Sequence, residues 1–376
     1  MRAYLIGIGL ILVAVHNPNQ PFIQYVFLPQ IGIALIAAGV LSIPFAQFRN
    51  AGLGSKWVYI PLLLVCAAIS LSGLAQYGRG EISLMRGLAP LASSVMWFGL
   101  YLAARVEGEK IGKPIAIAVT IEAVSVVYSA FVSGGVRGGG LVSPTNYDIA
   151  VAVMVFGTFL SPQRWQWWLM AIAGVGIYYT GAEEGLVAIG VVALIILIRR
   201  HFHLKTLAPV IALGIAVAVS IPTGVFHNLY IGNQGLQTNN YANPSTANKV
   251  EAVAKAVEAV VNPPPPPEPQ FSQYMDIATG YRFSTHWKIR PIQPFGYGYN
   301  LTEFYWGIPH NIALIIIEQV GLLGLMWFGA SIYSWKISKR HYLWASVFAL
   351  GIFDHYLWTQ IAPWWWVMVG VSGDKV

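Results

Sequence analysis

The chain has 376 residues, of which 56% are hydrophobic and only 10% charged, with a mean hydropathy of +0.60. A soluble domain carries about 25% charged residues, so the composition excludes an ordinary water-soluble enzyme and describes a polytopic membrane protein. The single cysteine, Cys66, excludes a disulfide framework and a cysteine metal site, and the net charge of +7 is read as basic loops on one membrane face rather than nucleic-acid binding.

The first apolar run lacks a small-residue cleavage site and further runs follow, so it is read as a span and not as a cleaved signal peptide. With about 17–25 residues per span, the runs predict about twelve transmembrane helices. They fall near 3–15, 26–45, 57–75, 84–104, 113–132, 147–161, 165–180, 184–199, 206–224, 309–333, 341–355 and 359–373. The expected fold is all-α, a single membrane domain over 1–376 with no obvious internal repeat. Alternation from a cytoplasmic N-terminus assigns Arg49, Lys56, Arg105, Lys110, Lys113, Arg164, Arg199, Arg200, Lys205, Lys336, Lys339 and Arg340 to inside loops, with Arg2 and Lys375 also inside. This is the positive-inside pattern, and it predicts that both termini are cytoplasmic.

The outer loops then follow in order. Arg79 and Glu81 lie close to Arg86. A glycine-rich stretch, "SGGVRGGGLVSPTNYD" (133–148), carries Arg137, and a tight turn, "YYTGAEEGL" (178–186), carries Glu183 and Glu184. One segment, 225–308, far exceeds the usual connection of about 4–6 residues, and such loops are functional or disordered. Within it, 243–262 has the alanine and valine spacing of an amphipathic helix. The prolines of 262–270 make a polyproline II spacer. Residues 281–300, "YRFSTHWKIRPIQPFGYGYN", are basic and aromatic and lead to His310.

His310 opens the expected tenth span. A histidine at a span mouth can be merely interfacial. Here Pro309 suits a helix start, and Asn311 can cap the helix or bond locally. Arg282, His286, Lys288 and Arg290 crowd the preceding stretch. Nearby guanidinium groups favour the neutral imidazole, which can accept a proton. Arginines on the outer face are either headgroup contacts or ligands for an anion. Arg137 has the stronger claim, because its glycine neighbours let backbone approach a ligand closely and its planar fork suits phosphate. Glu183 and Glu184 are acid/base or cation-binding candidates, or a plain interfacial pair. Glu318 and Gln319 lie inside the tenth span, where a charge faces the bundle interior. Asp354 and His355 are given no role. There is no Walker A motif, HExxH motif or Asp-x-Asp motif.

The stretch "PHNIALIIIEQVGLLG" resembles the C-terminal signature of the O-antigen ligase and O-antigen polymerase superfamily. His310, Asn311, Gly321 and Gly324 hold the signature places of the ligase form. Arg282, Trp287, Gly296 and Gly298 resemble the Arg-x-x-x-x-Trp and Gly-x-Gly elements that precede the histidine. "RGGGL" (137–141) is similar to the ligases' Arg-x-x-x-Leu element, and "SPTNYD" to a Pro-x-Asn segment. One departure is Ala182-Glu183-Glu184, where many members have Ser-Arg.

The resemblance implies a glycosyltransferase-C-like fold in a bacterial inner membrane. It implies metal-independent transfer of a glycan from undecaprenyl diphosphate on the periplasmic face, with no cofactor. His310 would take the acceptor proton, with Asn311, Trp287, Glu183 and Glu184 in supporting places. Arg137, Arg282, Arg290 and Arg86 would hold the diphosphate. The acceptor is lipid A core for a ligase, a second lipid-linked glycan for a polymerase, or protein for an oligosaccharyltransferase; the signature favours a ligase. A lipid-linked sugar flippase is the non-enzyme alternative. It is disfavoured by the absence of paired halves and the near-absence of mid-span charge. The two signature glycines are expected to let the tenth span pack closely on its neighbours.

Overall fold

A computed structural model describes residues 1–15, 27–133, 138–141, 147–199, 208–223, 225, 292–299, 311–352, 357–358 and 361–372. Among these residues the protein is built of helices and short 3-10 turns, with no strand. The helices are α1 (Arg2–Ala14), α2 (Phe27–Leu41), α3 (Phe45–Ala51), α4 (Lys56–Gly78), α5 (Leu84–Glu107), α6 (Gly112–Val132) and α7 (Tyr147–Leu160). They continue with α8 (Gln166–Thr180), α9 (Glu183–Arg199), α10 (Ala208–Ser220), α11 (Ile312–Val320), α12 (Met326–Ile337), α13 (His341–Gly351) and α14 (Ala362–Ser372).

Among the described residues, helix overlaps each apolar run expected to form a span. By length and composition, Lys56–Gly78 and Leu84–Val132 can cross a membrane; α2 and α3, bent by 82°, make a third if counted together. Other apolar helices are shorter, as with Arg2–Ala14 and Ala208–Ser220. Thirteen residues rise about 20 Å, less than the roughly 30 Å hydrocarbon layer. The short helix α3 was not expected. It has no buried residue, with Phe45 81% exposed.

The expected continuous tenth span is broken. Gly321 adopts φ 75° and ψ −172°, a conformation that essentially only glycine reaches. A 3-10 turn, Leu322–Leu325, then leads into α12. Gly321 therefore ends a helix. It does not serve close helix packing along a continuous span, because the carbonyl of Pro294 occupies the space a side chain would need.

The core centres on α14, in which Ala362 to Gly370 are all buried. A helix apolar on every side belongs inside. Its tryptophans bring an N–H with them, which needs an acceptor once buried. Trp364 Nε1 donates to the Leu10 carbonyl at 2.9 Å and Trp365 Nε1 to Ser331 Oγ at 2.9 Å. Ser372 Oγ accepts from Trp344 Nε1 at 3.0 Å, and Trp365 stacks on Trp327. Helices α4 and α5 are joined by hydroxyl bonds of the kind that link helices in apolar surroundings: Ser94 Oγ donates to the Cys66 carbonyl at 3.3 Å.

One end of the bundle is ionic. Arg340, 6% exposed, directs Nη1 at the carbonyls of Phe159, Leu160 and Ser161 at 3.2, 3.3 and 3.4 Å. These are the C-terminal carbonyls of α7, which lack helical partners and carry negative dipole charge. Arg340 Nη2 also pairs with Glu109 at 2.7 Å. Burial lowers the Arg340 pKa and Glu109 raises it. Nearby, Arg2 pairs with Glu107 at 3.2 Å, Arg105 bonds the carbonyls of Ala51 and Gly52, and Tyr101 bonds that of Leu53 at 2.7 Å. Among the described residues, the N-terminus and the connections around residues 51–53, 105–109, 161 and 340 thus meet at one end. Because Arg340 begins α13 and sits on the end of α7, those helices run antiparallel. The far end of α13 then lies level with the start of α7.

Replacing Arg340 by methionine should lower stability by about 1–3 kcal/mol, the cost of losing charged hydrogen bonds at a buried site. Glu109→Gln, on a side chain 51% exposed, should cost less than about 1 kcal/mol. Thermal unfolding of both variants in detergent checks the order; equal losses would contradict it.

Candidate functional site

The opposite end of the bundle contains Asn311, where α11 starts. Asn311 is the N-cap of α11. Its side-chain oxygen accepts from the amides of Ala313 at 2.9 Å and Leu314 at 3.3 Å, two of the amides that a helix start leaves unpaired. Its Nδ2 donates to the Ile352 carbonyl at 3.1 Å. One side chain therefore starts α11 and ties it to the end of α13.

The other end of α11 meets the segment 292–299. The carbonyl of Ile317 is taken by the Gly321 amide at 3.0 Å, that of Glu318 by Tyr297 at 2.8 Å, and that of Gln319 by Gly298 at 2.9 Å. The Gly-x-Gly element is thus a backbone clamp on the last carbonyls of α11. Gly296 (φ 66°) and Gly298 (φ 142°) both have positive φ. A side chain on Gly298 would overlap the Gln76 amide, and one on Gly296 would overlap the backbone of Gln319. Beyond the clamp, the Tyr299 amide donates to Ser72 Oγ at 2.9 Å, and the Tyr299 ring meets Trp358 edge-on at 5.5 Å. Trp358 Nε1 donates to Gln319 Oε1 at 2.9 Å. Burial pushes the Tyr299 phenol up to about 12, so it is neutral at ordinary pH. Glu318 and Gln319 are 5% and 2% exposed, as expected for polar groups facing the bundle interior.

Arg79 pairs with both Glu81 carboxylate oxygens through the Nε–Nη2 edge of its guanidinium, and Nη2 also donates to the Tyr297 carbonyl at 3.2 Å. That links the first outer loop to the clamp. Arg86 is exposed in the first turn of α5 and makes no ion pair among the described residues.

Residues Gly138–Leu141 of the glycine-rich segment lie along α6. The Gly138 amide donates to the Tyr179 carbonyl at 3.0 Å, and the Leu141 amide to Ser125 Oγ at 3.0 Å. Gly138 and Gly140 are buried. A side chain on Gly140 would overlap the Glu122 carboxylate, and one on Gly138 the Val126 carbonyl. The close approach expected of these glycines is, at these two positions, an approach to the protein's own helix.

Glu122 was missed in the sequence. It is 0% exposed near the middle of α6, which corrects the expectation that mid-span charge is nearly absent. The available signal was a lone glutamate in "AIAVTIEAVSVV" (116–127), and charge inside a span calls for a partner and a purpose. Gln76 and Ser72 were missed because nothing local distinguishes them from other polar residues in a span.

The candidates His310, Arg137, Arg282, Arg290 and Trp287 lie outside the described residues, as do Asp354 and His355. Glu183 and Glu184 start α9, with their side chains outside the description. Asn311, Arg86, Gly296, Gly298, Gly321 and Gly324 are the described members of the set. Among the described residues no three His, Cys, Asp or Glu side chains gather as a metal site. No family model, curated protein or solved structure matches the chain.

Asn311→Ala should destabilise the protein by about 0.5–2 kcal/mol through loss of the cap. Gly321→Ala should cost about 1–3 kcal/mol or more, because strain is added to overlap with Pro294. Unfolding temperatures in detergent test both; a Gly321→Ala protein as stable as the parent would contradict the break.

Proposed function

We propose that the protein is a membrane glycosyltransferase of the O-antigen ligase type. It moves a glycan from undecaprenyl diphosphate to an acceptor hydroxyl, with lipid A core the favoured acceptor. In this reading about twelve spans cross a bacterial inner membrane, both termini are cytoplasmic, and the end of the bundle that carries Asn311 faces the periplasm. His310 takes the proton from the acceptor hydroxyl as that oxygen attacks the anomeric carbon. Arg137 and Arg282 hold the diphosphate and balance the charge of the leaving group. Arg290 and Arg86 extend the cationic surface, and Trp287 supports the acceptor. The transfer needs no metal.

The observation that carries the reading is the Asn311 cap. Asn311 is the residue after His310, and its bonds to Ala313, Leu314 and Ile352 immobilise the backbone directly following the histidine. The clamp of Tyr297 and Gly298 on α11 gives the preceding element a fixed exit on the same helix. A general base requires such rigidity, since positioning is a large part of its effect. The signature residues Asn311, Gly298 and Gly321 thus have structural reasons that fit a preorganised histidine.

Glu122 favours a second reading, a lipid-linked sugar flippase, because charge inside spans also marks transport pathways.

Purified protein supplied with a lipid-linked glycan, EDTA, and lipid A core should join glycan to core. His310→Ala should lower the rate at least about 10²-fold, the low end of general-base effects, with membrane insertion intact. Growth of lipid-linked chains without core would make the protein a polymerase. Scrambling of the lipid-linked glycan with no transfer to any acceptor would replace the enzyme with the flippase.

A further inference from the structure

Helix α4, Lys56–Gly78, is long and apolar enough to cross a membrane, and its first residue is a lysine. It starts just after the connection that Arg105 and Tyr101 fix through the carbonyls of Ala51, Gly52 and Leu53. Helix α12 has Lys336 in its last turn, four residues before Arg340. Both lysines therefore stand at the ionic end of the bundle, where α4 begins and α12 finishes.

Two aromatic rings join these helix ends. Trp57 and Tyr333 approach with ring centroids 6.2 Å apart. Lys56 Nζ lies 5.5 Å from the Trp57 ring centroid, and Lys336 Nζ 5.9 Å from that of Tyr333. The contacts thus run from cation to ring to ring to cation across two helices. Trp57 is 59% exposed and both lysines are exposed, so the cluster is surface and not core. A ring face attracts a cation, and tryptophan and tyrosine at a membrane boundary sit at headgroup level.

The charge of this cluster is left for something outside it. The carboxylates described at this end, Glu107 and Glu109, pair with Arg2 and Arg340. Neither Lys56 nor Lys336 makes an ion pair among the described residues. One turn further into the bundle, each lysine stands over an isoleucine on the same helical face. These are Ile60 and Ile332, and both are exposed. Two cations, two rings and two aliphatic side chains then follow one another from the bundle end inward. That order matches an anionic phospholipid, whose phosphate is followed inward by acyl chains. A zwitterionic lipid brings its own ammonium group and no net charge for the lysines to balance. A free phosphate has nothing to cover the isoleucines.

We propose that Lys56, Trp57, Tyr333 and Lys336 form a binding site for an anionic phospholipid of the surrounding membrane. The two ammonium groups take the phosphate, the rings meet the glycerol at headgroup level, and the acyl chains run over Ile60 and Ile332. The bound lipid joins the start of α4 to the end of α12. The site lies at the opposite end of the bundle from Asn311 and does not rest on the transferase reading.

Native mass spectrometry of the full chain in neutral detergent tests this, with phosphatidylglycerol and phosphatidylcholine of the same acyl chains as probes. The parent should retain phosphatidylglycerol in preference. Lys56→Gln and Lys336→Gln should each weaken that retention about fivefold, the effect of one lysine at an anionic lipid surface. Lys110→Gln removes an exposed lysine of the same end and should leave retention unchanged. Phosphatidylglycerol should also raise the unfolding temperature of the parent, whereas inorganic phosphate and glycerol phosphate should not.

Equal retention of the two lipids overturns the proposal. An equal loss in Lys110→Gln assigns the binding to net charge and overturns the site. Equal stabilisation by inorganic phosphate overturns the lipid as occupant. Should a variant fail to fold, retention by the parent against rising salt decides. Salt screens exposed charges, so phosphatidylglycerol should be lost as salt rises, and retention unmoved by salt overturns the role of the lysines.

Discussion

The backbone carbonyls of Glu318 and Gln319 set the terms for the whole candidate site. Helix α11 has nine residues, too few to be stable by itself. Its last carbonyls would be unpaired in an apolar bundle, each at a cost of about 1–3 kcal/mol. The amides of Tyr297 and Gly298 take them, and the Asn311 side chain takes the free amides at the other end. A short helix is thereby held at both termini by groups distant in sequence or outside it. The break at Gly321 makes this possible, since a continuous helix would keep those carbonyls for itself.

The same demand for partners explains the rest of the bundle. At the opposite end Arg340 supplies the last carbonyls of α7 with a cation. In the centre, hydroxyls and carbonyls supply the indole N–H groups of α14. The glycine-rich segment finds its partners on Tyr179 and Ser125. Water would do these jobs in a soluble protein. Here each is done by a particular side chain or amide, so irregular backbone appears only where such a partner has been built for it.

The segment that enters at Tyr297 and the helix that leaves at Asn311 are both tied to fixed elements, through Ser72 on α4 and Ile352 at the end of α13. Arg79 joins the first outer loop to the same clamp. Residues Gly138–Leu141 are tied down separately, through Tyr179 and Ser125.

The apolar runs by themselves determined where helices form, since burial of a run with few charges leaves helix as the only way to pair its backbone. Arg2, Arg105 and Arg340 likewise mark connections that share an end, and Asn311 marks where α11 starts, because an Asn cap is a local effect. Tertiary structure alone decided that the tenth run breaks at Gly321. In sequence that residue is one more small apolar position, and only the fold brings the Pro294 carbonyl into the space a side chain there would fill. Tertiary structure also decided what Glu122, Gln76 and Ser72 touch. Their partners lie 18, 222 and 227 positions away in the chain, at Gly140, Gly298 and Tyr299, and no pattern of spacing records which distant backbone will come to rest against a side chain.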